Sequence, residues 1–69
     1  MKNLIATVTG NISSLDVYAN AINNGRTDGV YFYVNENKVS VKYPYSQLTE
    51  AAQREELCWF LNGKTYEIN

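Results

Sequence analysis

Val30-Tyr31-Phe32-Tyr33-Val34-Asn35-Glu36-Asn37-Lys38-Val39-Ser40-Val41-Lys42-Tyr43 is the stretch that decides the fold. Two runs of β-branched and aromatic residues flank a polar tetrapeptide, which is the pattern of a β-hairpin. If Val34 pairs with Val39, Phe32 faces Val41 and Val30 faces Tyr43, so one side of the hairpin is wholly apolar. The other side carries Tyr31, Tyr33, Ser40 and Lys42. A slip of one residue would mix the two sides, so the pattern specifies its own register. Pro44 has no N–H to give to a ladder and ends the second strand or leaves it at an edge.

Upstream, residues 4–9 are rich in β-branched side chains and stop at Gly10-Asn11, a strand followed by a turn. Leu15, Tyr18, Ala19 and Ile22 then recur at i, i+3, i+4 and i+7, one face of a helix. Ser13 or Ser14 can open that helix, Asp16 suits its positive end, and Gly25 is placed to stop it. Arg26-Thr27-Asp28-Gly29 reads as the loop into the hairpin.

Downstream, two readings compete. One helix over residues 49–62 sets Glu50, Gln53, Arg54, Glu55 and Glu56 at all angles and leaves no clean apolar face. A short helix followed by a hairpin uses Asn62-Gly63, the strongest two-residue turn signal. It sets Leu61 opposite Lys64, Trp59 opposite Tyr66 and Leu57 opposite Ile68. The hairpin is the expected form, with Trp59 buried beside Tyr66; the continued helix is the alternative. The expected class is α+β, in the order β-α-β-β-α-β-β, with residues 1–69 as one domain.

Composition narrows the chemistry. At 69 residues there is room for one core only, and a small one. An apolar share of 45% and a charged share of 19% suit a globular chain rather than a disordered one. With 6 basic and 7 acidic residues the net charge is −1, too small for the overall field to drive binding to nucleic acid or an anionic membrane. There is no histidine, so the commonest general base and metal ligand is missing. The single Cys58 has no thiol or imidazole partner and is expected to be an inert apolar side chain. The four glycines are scattered, with no phosphate-binding loop among them. Glu55 and Glu56 are adjacent and point apart, as solvated acids do. No cofactor and no catalytic group is expected, and the chain reads as a non-enzyme. The apolar run Leu4-Ile5-Ala6 breaks at Thr7, short of the roughly 7–15 residues of a signal-peptide core. No stretch approaches the roughly 18 apolar residues of a membrane span. A cytoplasmic protein is expected.

The polar side of the hairpin is the feature that calls for a function. Sheet faces turned to water normally carry Thr, Lys and Glu. Here Tyr31 and Tyr33 lie side by side, Ser40 and Lys42 lie opposite, and Tyr45 follows just beyond. Tyrosines on a strand face are favoured anchors of protein contacts. Aromatics with a lysine also resemble a stacking platform for single-stranded nucleic acid, although only Arg26, Lys38 and Lys42 are near enough to meet phosphates. The bland alternative is that the second helix or the C-terminal hairpin covers this side. The leading expectation is a protein-binding protein, acting as a homodimer and using Tyr31, Tyr33, Ser40, Lys42 and Tyr45. Short acidic domains without catalytic residues are often inhibitors of host enzymes or defence complexes made by phages and mobile elements, which would put this one in the host cytoplasm. A nucleic-acid-associated regulator is the alternative.

Overall fold

In the computed structural model, which describes residues 2–69, four strands and two helices follow one another along the chain. They are β1 (Ala6–Thr9), α1 (Leu15–Gly25), β2 (Tyr31–Asn35), β3 (Lys38–Lys42), α2 (Glu50–Phe60) and β4 (Thr65–Ile68). The strands form one antiparallel sheet in the order β2-β3-β1-β4. The α+β class expected from the sequence holds.

The central hairpin has the expected register, with Val34 opposite Val39, Phe32 opposite Val41, Tyr33 opposite Ser40 and Tyr31 opposite Lys42. Alternation then sorts the side chains. Ala6, Val8, Phe32, Val39 and Val41 point inward and are buried. Both helices pack on that inner face. Leu15 and Ala19 of α1 and Leu57 and Phe60 of α2 join the same core. The Phe32 and Phe60 rings stack at 4.3 Å between centroids, and Tyr18 of α1 lies 5.0 Å from Phe60. Each large side chain buried there is worth about 1.5–3 kcal/mol, which is what holds the two layers together.

The helix α1 starts and stops near the expected places by different means. Its N-cap residue Ser14 makes no side-chain cap bond. Asn11 Oδ1 instead accepts hydrogen bonds from the Ser13 N–H and Oγ. Gly25 is the last helical residue, and Arg26 breaks away in an extended conformation while its N–H still reaches Ile22 O. In the β2–β3 turn the strain falls on Glu36, whose φ is +57°.

The C-terminal hairpin does not form. Residues 57–60, expected to be strand, belong to α2, which runs unbroken to Phe60. Thr49 caps it by accepting the Ala52 N–H on Oγ1 at 3.1 Å. The missing apolar face exists: Gln53, Leu57, Phe60 and Leu61 are all buried, at i, i+4, i+7 and i+8. Gln53 belongs to it because its amide is fully bonded, Oε1 accepting the Leu4 N–H at 2.7 Å and Nε2 donating to the carbonyls of Lys2 and Leu48 at 2.9 Å. Asn62-Gly63 does turn the chain, with Gly63 at φ +84°, but from helix to strand. Tyr66 and Ile68 therefore pair with Val8 and Ala6 of β1, not with Trp59 and Leu57. Trp59, expected to be buried, is 52% exposed. Cys58 is likewise exposed rather than packed in apolar surroundings, and the Tyr66 hydroxyl donates to its Sγ at 3.0 Å.

Candidate functional site

Because both helices occupy the inner face, the outer face of the sheet is left open. Tyr31 and Tyr33 point there from β2, at 44% and 49% exposure. Neither α2 nor a C-terminal hairpin covers them, so the covered-face reading of these residues fails. Their rings lie 4.8 Å apart between centroids, tilted by 51°. Lys42, cross-strand from Tyr31, lays its Nζ 5.4 Å from the Tyr33 ring centroid, within cation–π range. Half-buried Ser40 stands opposite Tyr33. Four of the five expected residues are thus neighbours on two paired strands.

Tyr45 is the fifth, and it comes from a loop. Beyond Pro44 the chain leaves the sheet, and Tyr45 meets the half-buried Tyr43 edge-on at 5.1 Å between centroids. Gly29 makes room for it. A side chain there would begin 3.2 Å from the Tyr45 ring, and the backbone φ of +89° itself favours glycine. Tyr45 is 77% exposed at the rim. Between these residues lies a shallow depression of about 280 Å³, lined by Gly29, Tyr31, Tyr33, Lys42, Tyr43 and Pro44.

The face continues across the sheet. Ala6 points inward, so Ile5 and Thr7 on either side of it point outward. Ile5 is 40% exposed and adds an aliphatic side chain that sequence reasoning overlooked, although the alternation within residues 4–9 carried the signal. Thr7 stands between Lys38 of β3 and Glu67 of β4. The outer face is therefore aromatic toward β2 and polar, with both signs of charge, toward β4.

Arg26, weighed as a third cation for this face, is elsewhere. It binds Asp28 at 2.6 Å and Glu56 at 2.7 Å, and its guanidinium lies 5.7 Å from the Trp59 ring and 6.0 Å from the Phe32 ring. The hydrogen bonds it donates to Asp28 and then to Glu56 raise its pKa further above its already high range, and the same pairing holds the Asp28 carboxyl below the usual carboxylate range. Two carboxylates neutralise it on the helical side of the molecule. A second exposed apolar region lies there too, where Val17, Tyr18, Ala21, Phe60, Asn62 and Lys64, with Ser14, line a groove of about 460 Å³. Trp59 sits apart from it, beside Arg26, Glu55 and Glu56.

Among the described residues no three of His, Cys, Asp and Glu gather as metal ligands, and no helix is long and apolar enough to cross a membrane. No family model matches the chain, no curated protein is detectably similar to it, and no solved structure matches it.

Proposed function

We propose that this chain is a non-enzymatic cytoplasmic protein that works by docking on another protein through the open face of its sheet, and that it acts as a homodimer. The observation that carries the reading is the uncovered pair Tyr31 and Tyr33, held side by side on a rigid strand with Lys42 against them and Tyr45 at the rim. Rings fixed on a strand lose little entropy on contact, and each offers a hydroxyl to a polar partner as well as an apolar body. Occupying a partner's surface needs no catalytic group, so the concrete form we put forward is an inhibitor of a host enzyme or defence complex, of the kind made by phages and mobile elements.

Against nucleic acid stands the loss of Arg26 to Asp28 and Glu56, which leaves Lys38 and Lys42 on this face with Glu67 as a counter-charge. Affinity for a captured partner, measured across rising salt, separates the two. A tyrosine-anchored protein contact weakens little. A steep log–log fall would mean phosphate neutralisation and would overturn the protein-docking reading.

A further inference from the structure

The two edges of the sheet are treated differently. On the β2 edge, side chains occupy the outward backbone groups of Phe32 and the N–H of Val30 just before the strand. Asn23 of α1 donates from Nδ2 to Phe32 O and accepts the Phe32 N–H on Oδ1, both at 2.9 Å, as a neighbouring strand would. Asp28 Oδ1 accepts the Val30 N–H at 3.1 Å. These two caps block the entry and the middle of that edge and leave only the Val34 groups beside the turn for another chain to pair with.

On β4 no side chain among the described residues plays that part. Ile5 and Asn69 exchange both backbone hydrogen bonds, at 3.3 and 3.1 Å. Antiparallel alternation then turns the N–H and C=O of Glu67 and Thr65 toward β1, and those of Tyr66 and Ile68 toward the open edge. Among the described residues no donor or acceptor meets these outward groups of Tyr66 and Ile68.

We propose that β4 pairs antiparallel with β4 of a second copy, Tyr66 opposite Tyr66, to give one continuous eight-stranded sheet. The proposal rests on the homodimer put forward above and specifies its interface. Only registers that match outward groups at 66 and 68 can form hydrogen bonds, and there are three. Pairing Tyr66 with Ile68 sets Glu67 against its own copy, two like charges face to face. Pairing Ile68 with Ile68 leaves most of the strand unmatched. Pairing Tyr66 with Tyr66 matches the outward groups of residue 66 and sets Thr65 opposite Glu67 of the second copy with no like charges opposed, while the Lys64 N–H stays on Leu61 O. The strand is self-complementary in that register, which is why the occupant is a second copy.

Such pairing has its two-fold axis normal to the sheet, so both outer faces lie on one side. The two tyrosine patches then sit at the far ends of a single surface. Seven strand spacings of about 4.8 Å separate the outermost strands by roughly 34 Å. The dimer would present two docking patches to a partner that is itself paired or extended.

Sedimentation equilibrium of the wild type, Thr65→Lys and Thr65→Glu tests this. Thr65 is exposed, so both variants keep the fold, which circular dichroism checks. The wild type is expected to show a monomer–dimer equilibrium. By symmetry each substitution acts twice against Glu67, so Thr65→Lys tightens the dimer about threefold to tenfold and Thr65→Glu weakens it by a similar factor. A wild type that stays monomeric at every accessible concentration overturns the homodimer and this interface together. A dimer indifferent to the charge at residue 65 overturns the β4 interface alone. A dimer lost in Tyr31→Ala/Tyr33→Ala moves it to the tyrosine face.

Discussion

Gln53→Leu removes an amide that ties three backbone groups together, and its cost can be worked from the structure. Leucine is close in volume and keeps the apolar face of α2 filled, so little of the loss comes from packing. The N–H of Leu4, a residue 1% exposed, loses the acceptor it has among the described residues. An orphaned buried donor costs about 1–3 kcal/mol. The carbonyls of Lys2 and Leu48 lose the Nε2 donor, but both residues are less buried and can turn to water, adding about 0.5 kcal/mol each at most. Together these give a loss of about 1–4 kcal/mol, centred on about 2–3, a large part of the roughly 3–10 kcal/mol a domain of this size possesses. In urea, where small domains lose about 1 kcal/mol per M, the midpoint drops by roughly 2–3 M, read by far-ultraviolet circular dichroism. Gln53→Glu supplies the internal control. Its carboxylate still accepts the Leu4 N–H but faces two carbonyls with no donor, so it destabilises at neutral pH and recovers partly in acid, where a protonated carboxyl can donate. A Gln53→Leu midpoint within about 0.5 M of wild type would refute the claim that this amide organises the N-terminal strand and the entry to α2.

The remaining predictions concern the hairpin and the Arg26 cluster. Phe32→Ala, which empties the centre of the core, costs about 3–5 kcal/mol, whereas Tyr31→Ala with Tyr33→Ala costs about 1 kcal/mol or less; equal losses in urea titrations would mean the tyrosines are core after all. Glu36→Gly relieves a positive φ and raises stability by about 0.5–1 kcal/mol in thermal unfolding, and no gain would argue against the strained turn. Asp28 has its pKa lowered by Arg26 and the Val30 N–H, so the unfolded chain binds its proton more tightly than the folded one. Its stabilisation is complete above the ordinary aspartate range and lost as pH falls through the depressed folded value. The gap in urea midpoint between wild type and Asp28→Asn should therefore close in acid, and a gap that widens there would contradict the pairing.

How far the sequence could be read depended on whether a pattern was local. In residues 30–43 the two sides of the hairpin differ so sharply that register and facing followed from alternation alone, and four site residues came with them. In α2 the same logic failed at one residue. Gln53 counts as polar in any periodicity, yet the groups that satisfy it, Leu4, Lys2 and Leu48, are brought to it only by the fold. Trp59 misled because a large aromatic suggests burial, while its place next to inward Phe60 rotates it about 100° off the core face of a 3.6-residue helix. The site was legible as a cluster of tyrosines, but its exposure was not. That followed from both helices choosing the other face, a tertiary outcome no local pattern states. The caps on β2 by Asn23 and Asp28 were hidden for the same reason.

The central claim is that Tyr31 and Tyr33 are the docking anchors, and one side-by-side capture experiment tests it most directly. Wild-type chain and the Tyr31→Ala/Tyr33→Ala variant, the latter verified as folded, are immobilised in parallel and exposed to lysate of the cells in which the chain is made. Bound proteins are quantified by mass spectrometry against an unrelated domain of equal size. The account predicts at least one protein enriched on the wild type and retained at least tenfold less on the variant, as expected for losing two anchors of about 2 kcal/mol or less each. The same proteins retained equally on both chains would contradict it.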